Sequence, residues 1–192
     1  MNGKASAAPL LSRLMYSPVN YWVVFAMDLI GPLVFLAIGF QHYAGPPASI
    51  AAAVVIGFLS WGLLEYTLHR FVLHGRSSIA RQGHVQHHAD PTALISTPMF
   101  MLLALFVVTW LLVGLVAPAD VAAFYICGLY TCYNYFVVVH HLQHHRPQDL
   151  ARVAYVEQLE RMHHMHHERQ SVNFGISTTV WDRVFGTYRP LG

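Results

Sequence analysis

Four long apolar stretches dominate the pattern of hydrophobic and polar positions along the chain. They cover about residues 21–40, 48–64, 98–117 and 121–139. A helix needs about 20 apolar residues to cross a hydrocarbon core about 30 Å thick. Pro-containing turns at 45–47 and 117–120 keep two of the connections short. The pattern predicts an all-α integral membrane protein with four transmembrane helices, which we expect to form a single membrane-embedded domain over residues 1–192.

Composition supports a membrane protein and excludes several other classes. Hydrophobic residues make up 55% of the chain and charged residues only 10%, whereas soluble domains are typically about 25% charged. The aromatic content of 13% excludes a disordered chain. The formal net charge of +2 offers no broad basic face, so nucleic acid is not expected as a partner.

The positions of the basic residues predict the orientation in the membrane. All 11 Lys and Arg residues lie before the first span, between the second and third, or after the fourth. The positive-inside rule therefore predicts that both termini and the intervening polar segments are cytoplasmic, with the inner membrane as the location in a bacterium. The first span lacks a small-residue cleavage site and is interpreted as retained. Cys127 and Cys132 lie within the fourth span and are interpreted as packing residues.

Histidine is the unusual component, because its 14 residues outnumber the Lys and Arg residues together. The helical patterns of the second and fourth spans continue over 48–74 and 121–145, beyond the length that a bilayer needs. His42 lies at an outer turn and is interpreted as a core residue. The others fall on the predicted cytoplasmic side in four groups: His69 and His74; His84, His87 and His88; His140, His141, His144 and His145; and His163, His164, His166 and His167.

The spacing of these histidines favours a metal site. Residues three and four apart share a helix face, so each HxxHH group either converges on one centre or straddles two. His69 and His74 are five apart, roughly 140° around an ideal helix, so the helix must end or turn between them for both to bind one metal. Neutral imidazole is the commonest metal ligand in proteins. About ten imidazoles exceed the need of one ion, which predicts two metals near the membrane surface.

Over about residues 55–190 the chain resembles the fatty acid hydroxylase/sterol desaturase superfamily of membrane oxygenases. The motifs HxxxxH, HxxHH, HxxxH and a final HxxHH follow one another in the order of that family. The resemblance implies a di-iron centre and O₂ as co-substrate, and zinc also occupies imidazole sites of this kind. The metal ligands that the resemblance implies are His69, His74, His84, His87, His88, His140, His144, His163, His166 and His167.

Two flanking segments, 65–71 and 173–187, resemble the fatty acid 2-hydroxylase branch. The resemblance implies hydroxylation of a lipid acyl chain, at C2 in the best-known members. The His140–His145 spacing and the short segment 74–84 are also similar to bacterial carotenoid hydroxylases, so a carotenoid or sterol-type hydroxylase or desaturase is the alternative. A metal transporter or sensor is disfavoured, because transport needs polar ligands lined along a path through the bilayer.

Two features of the resemblance stay open. The group in the fourth helix allows His140 to pair with His144, His141 with His145, or His140 with His145. The 20 residues before the first span are too few for a fused cytochrome b5 domain. A separate electron donor is therefore implied: a cytochrome b5, a ferredoxin or a reductase.

Three acidic residues have alternative interpretations. Glu65 shares a helix face with His69, and it either hydrogen-bonds a ligand imidazole or pairs with Arg70 at the membrane interface. Asp182 either orients another histidine or caps a turn. Asp28, inside the first span, is costly to bury, and a structural hydrogen bond is expected there. The aromatic residues expected at the membrane interface are Tyr16, Tyr21, Trp22 and Trp181.

Overall fold

The computed structural model describes residues 10–76, 78–150 and 153–191, and every regular element in these ranges is a helix. The all-α prediction is therefore confirmed for the described chain. The helices are α1 (Leu10–Met15), α2 (Pro18–Phe40), α3 (Pro47–Thr67) with a π-helical continuation (Leu68–Leu73), α4 (Ile79–Ala89), α5 (Met99–Val113), α6 (Ala119–His145), α7 (Pro147–Leu150), α8 (Ala154–Glu168) and α9 (Val180–Val184).

Three helices in the described part of the chain are long and apolar enough to cross a membrane: Pro18–Phe40, Pro47–Leu73 and Ala119–His145. The third predicted stretch, 98–117, is shorter as a helix than its apolar pattern suggested. Its helix α5 has 15 residues, or about 22 Å at 1.5 Å per residue. It ends at Val113 with Gly114 as its C-cap, and glycine has a low helix propensity. The apolar pattern alone does not predict where α5 ends.

The helix that bears His69 and His74 neither ends nor turns between them but widens into a π-helix, which corrects the sequence expectation. Its residues Leu68–Leu73 form a π-helix, and the His74 N–H donates to the His69 carbonyl at 3.0 Å. A bond from residue i to residue i+5 brings residues five apart onto one side of the helix. The two imidazole centroids consequently lie 5.0 Å apart.

Helix α6 is the central element, because α2, α3 and α5 all pack against it. Its closest approach is to α3, where two glycines meet the facing backbone. A Cβ built at Gly57 would lie 1.9 Å from the Tyr125 carbonyl oxygen, and one at Gly128 would lie 1.9 Å from the Val54 carbonyl oxygen. Small residues permit this close packing of apolar helices. The crossing aligns the two helices whose far ends carry histidines.

Other predictions about the apolar region have mixed outcomes. Cys127 and Cys132 are free and buried in the core, as predicted. Asp28 is buried and accepts a hydrogen bond from the Tyr130 hydroxyl at 3.0 Å, which is a structural bond between α2 and α6. His42 is exposed in the turn after α2, so its interpretation as a core residue is wrong. Connecting segments run over the protein surface, which leaves this side chain accessible.

Candidate metal centres

The ten histidines that the motifs single out form two groups of five, which we name centre A and centre B. Within each group, one nitrogen of every imidazole lies within 4.8 Å of those of the others. The two groups are adjacent, since the His88 and His167 rings stack at 4.2 Å. Centre A consists of His69, His74, His84, His88 and His166; centre B consists of His87, His140, His144, His163 and His167.

Helices α4 and α8 each contribute to both centres. His84 and His88 point to centre A, whereas His87 points to centre B. In α8 the division is reversed, because two histidines of the final motif belong to centre B and His166 belongs to centre A. Residues i and i+4 share a face and the residue between them lies to its side. Each HxxHH group therefore straddles two centres, which was one of the two arrangements that its spacing allowed.

The pairing in α6 is His140 with His144, whose Nε2 atoms lie 3.2 Å apart in centre B. The neighbouring pair faces away from that centre. His141 Nδ1 lies 2.7 Å from the Tyr21 hydroxyl, and the His145 ring stacks on His141 at 4.5 Å. The alternatives that involve His141 or His145 do not correspond to a histidine group in the described residues.

The hydrogen bonds of two rings establish which of their nitrogens are free. His69 Nδ1 lies 2.5 Å from the Phe174 carbonyl oxygen, and His166 Nδ1 lies 2.8 Å from the Val172 carbonyl oxygen. A carbonyl oxygen only accepts, so each Nδ1 carries the proton and donates. In a neutral imidazole the Nε2 atom then presents a bare lone pair. The Nε2 atoms of His166 and His74 are only 2.9 Å apart.

Burial lowers the pKa values of the centre A and centre B histidines that lie outside the spanning segments, so these rings are neutral at pH 7. Burial, followed by repulsion from neighbouring cationic groups, lowers the pKa of His74 to about 4. Burial is also the main cause that lowers the pKa values of His87 and His166 to about 3. Neutral rings whose lone pairs converge repel one another unless a cation lies between them. The donor set therefore fits metal ions, and imidazole suits Zn, Cu, Fe and Ni.

These lowered pKa values predict an acid-sensitive metal-free protein. Between pH 7 and pH 5 the unfolded imidazoles, with an ordinary pKa of 6.5, take up protons, whereas the buried ones do not. Because the unfolded state then binds more protons, stability falls as the pH falls. We expect the Tm of the metal-free protein in detergent to decrease over this range. The slope should become shallower in His166→Ala than in the wild type, because this variant lacks one of the buried imidazoles; equal slopes in the two proteins contradict the prediction.

A loop formed by residues 172–177 supplies the carbonyls that accept from His69 and His166. Two buried carboxylates hold this loop. Glu65 accepts from the backbone N–H groups of Ile176 at 2.6 Å and Ser177 at 3.0 Å, and also from the Ser177 hydroxyl. Asp182 accepts from the N–H groups of Phe174 at 2.8 Å and Gly175 at 2.7 Å.

These contacts correct the interpretation of Glu65 and decide that of Asp182. In the described residues Glu65 hydrogen-bonds neither a histidine nor Arg70, because its lone pairs accept from the loop and from the Trp61 indole N–H at 3.1 Å. Arg70 instead donates to the Tyr66 hydroxyl at 2.6 Å. Asp182 caps the turn at 174–175, the second of its two expected roles, and in the described residues it makes no direct hydrogen bond to a histidine.

A cavity of about 230 Å³ adjoins both centres. His84 of centre A and two histidines of centre B form one wall, and the other walls come from α2, α4 and α6. Phe136 lies parallel to His140 with ring centroids 5.7 Å apart, so an aromatic surface continues from centre B into the cavity. Tyr133 follows one turn deeper. Sequence reasoning missed these lining residues, because aromatic residues inside an apolar span look like ordinary core residues.

The two adjacent groups of five imidazoles place this chain among helical proteins with enough nitrogen donors for two metal ions. The family model of fatty acid hydroxylases matches residues 54–187. This chain therefore belongs to the fatty acid hydroxylase family.

Relatives and a solved structure agree with this assignment. The chain is 32% identical over 147 residues to dihydroceramide fatty acyl 2-hydroxylase FAH2 of Arabidopsis thaliana, covering 72% of this chain and 61% of the relative. It is 32% identical to ceramide very long chain fatty acid hydroxylase scs7 of Schizosaccharomyces pombe, covering 77% of this chain and 45% of the relative. A structure of full-length scs7p, with only its hydroxylase domain visible, superimposes with a TM-score of 0.74 at 25% identity, covering 99% of this chain and 76% of that one. The chain spans about half to three-fifths of the length of these curated relatives.

Proposed function

We propose that this chain is an O₂-dependent hydroxylase of lipid acyl chains, with C2 as the position of hydroxylation. The observation that carries the proposal is that two five-histidine groups share the wall of one largely apolar cavity. The names of the relatives support the acyl chain as substrate, since they are fatty acyl or fatty acid hydroxylases. A carotenoid or sterol ring substrate finds no such support among them.

The metal ligands in this proposal are the ten histidines of centres A and B, with iron expected and zinc able to replace it in purified protein. When bound, the metals supply O₂ activation, because no side chain is a strong enough oxidant for an unactivated C–H bond. The reaction consumes the lipid, O₂, two electrons and two protons, and yields the hydroxylated lipid and water. The chain itself supplies the metal ligands, orients the acyl segment along Phe136 and Tyr133, and excludes water from the apolar part of the cavity.

The orientation in the membrane is part of the proposal. We propose that α5 completes a fourth crossing and that residues 1–192 form one membrane-embedded domain. The histidine-bearing ends and both termini then face the cytoplasm, which is the inner-membrane arrangement in a bacterium. Arg146, directly after α6, belongs to the basic residues that support this side. Lys4 and Arg152, which contribute to the same charge bias, lie outside the described residues.

A cytoplasmic site also suits the electron supply. The two electrons come from a separate donor in this proposal: a cytochrome b5, a ferredoxin or a reductase. An acyl tail enters from the bilayer while the donor approaches from the opposite, aqueous side, so the two partners do not compete for one surface.

Lipid mass spectrometry tests the proposed function. The full chain is expressed in a host whose lipids lack hydroxylated acyl chains, and the membranes receive heavy-isotope O₂ and a ferredoxin reducing system. We expect one labelled oxygen atom on a lipid acyl chain, recovered as a 2-hydroxy fatty acid after hydrolysis. An oxygenated ring lipid overturns the choice of substrate, and the absence of any labelled lipid from metal-loaded, reduced protein overturns the function.

A pair of variants tests whether the cavity binds the acyl chain that is hydroxylated. Val137→Trp fills space in the cavity wall, whereas Val55→Trp adds the same bulk to an exposed position of α3. We expect the first variant to lower the yield of the hydroxylated lipid and the second to leave it near that of the wild type. Equal yields from both variants contradict the cavity as the acyl-chain site.

A further inference from the structure

Centre A has a support that centre B lacks among the described residues. Two of its histidines, His69 and His166, donate from Nδ1 to backbone carbonyls of the loop 172–177. In centre B, the Nδ1 atoms of His163 and His167 are buried and have no hydrogen-bond partner, and the same holds for His88 of centre A. A ligand imidazole whose second nitrogen is hydrogen-bonded has a fixed tautomer and ring orientation and is a stronger base. The two centres are therefore unequally prepared to bind metal.

One peptide unit links a buried carboxylate to His69. The peptide between Phe174 and Gly175 donates its N–H to Asp182 Oδ2 at 2.7 Å, and its carbonyl accepts from His69 Nδ1 at 2.5 Å. Asp182 is only 1% exposed. A negative charge at the N–H end of a peptide polarises its carbonyl, and hydrogen bonds in such a chain strengthen one another.

Glu65 prevents the loop from moving away from this arrangement. It accepts from the next two backbone N–H groups, those of Ile176 and Ser177, and is 4% exposed. Displacing the loop would leave two buried carboxylates without their donors, and a buried acceptor that loses its partner carries a desolvation penalty. Asn173 fits the same loop, because its φ of 51° lies in the left-handed region that asparagine tolerates.

We infer that Asp182 is a positioning residue that makes His69 a stronger metal ligand through the 174–175 peptide, so that centre A holds its metal more tightly than centre B. In a carboxylate–histidine–metal triad the carboxylate hydrogen-bonds the histidine directly. Here one peptide group lies between them and hydrogen-bonds both. The inference rests on the proposed role of the histidines as ligands and is independent of the lipid substrate.

Timed metal release tests the inference with Zn²⁺ as the probe and without lipid, O₂ or reductant. The full chain in detergent is loaded with Zn²⁺, and the zinc that it loses to a chelator is measured over time. We expect the wild type to release one ion quickly and one slowly. Removing a centre A ligand with His166→Ala should abolish the slow phase, and removing a centre B ligand with His163→Ala should abolish the fast phase.

The variant Asp182→Asn then tests whether Asp182 supports His69 through the 174–175 peptide. We expect the slow phase to accelerate about 10- to 100-fold, the usual effect of losing such a support for a metal ligand, while the fast phase keeps its rate. Asp149→Asn is the matched control, since it removes the charge of an exposed carboxylate that pairs with Arg146, and both phases should stay unchanged. A merely structural role of Asp182 would accelerate both phases together.

The outcomes separate this inference from the proposed function. Two equal release phases in the wild type, or an unchanged slow phase in Asp182→Asn, overturn the inference and leave hydroxylation standing. If Asp182→Asn does not fold, Glu65→Gln gives the second measurement, because it weakens the same loop from the opposite side and should accelerate only the slow phase. A wild-type chain that binds no Zn²⁺ overturns both the inference and the metal-dependent function.

Discussion

Replacing His166 with alanine is expected to abolish lipid hydroxylation and to leave the protein with one bound metal ion instead of two. His166 is fully buried, and its Nε2 lies 2.9 Å from that of His74 in centre A. The substitution removes one of five donors and leaves the Val172 carbonyl without the Nδ1–H bond. Metal content by mass spectrometry and product formation in the lipid assay measure the two effects together.

His164→Ala is the matched control, because it lies in the same helix two residues away. Its side chain is 75% exposed and approaches Glu168, with an Nε2–Oε1 distance of 3.7 Å. We expect this variant to retain both metal ions and the activity of the wild type. If His166→Ala also keeps two ions and full turnover, His166 is not a ligand, and the assignment of centre A fails.

Replacing Gly57 with leucine is expected to prevent the assembly of both centres at once. A Cβ at this position would lie 1.9 Å from the Tyr125 carbonyl oxygen, so α3 and α6 must separate. Helix α6 carries His140 and His144, and the continuation of α3 carries His69. We expect destabilisation of at least about 3 kcal/mol, the upper part of the usual range for overpacked cores.

Thermal unfolding in detergent and zinc content measure the effect of Gly57→Leu. Ala52→Leu places the same side chain on the same helix at an exposed position, and it should unfold at the wild-type temperature with two bound ions. A Gly57→Leu variant that unfolds like the wild type would show that the close crossing of α3 and α6 is not required. Loss of the fold in Ala52→Leu as well would indicate an insertion defect and contradict the packing explanation.

Local sequence patterns were sufficient to predict the main helices and the histidines that form the two groups. Apolar stretches beyond bilayer length predicted the long helices, and the i, i+4 spacing predicted that His84 and His88 share a face. The same patterns gave the wrong end for α5. They also gave no indication of the π-helical turn between His69 and His74, because a widened turn depends on where its side chains must reach and not on a distinctive composition.

Glu65 and Asp182 show most clearly which contacts local sequence patterns do not predict. Four-residue spacing placed Glu65 beside His69 on one helix face, yet Glu65 accepts hydrogen bonds from a loop more than 100 positions later in the chain, such as that from the N–H of Ser177, 112 residues away. No periodicity reports a contact over that separation. Only the packing of α9 and the loop 172–177 against α3 shows that the two carboxylates hold the loop whose carbonyls accept from His69 and His166.

By itself, then, the sequence determined which chemistry is available: long apolar helices, ten imidazoles at helical spacing, and their position beyond the apolar spans. These properties depend on residue type and on separations within single helices. The tertiary structure alone decided how the imidazoles divide into two groups of five, which nitrogens of His69 and His166 are free, and which centre receives the carboxylate-held loop. Those properties arise where separate helices cross, because the close approach at Gly57 and Gly128 sets which helix ends meet.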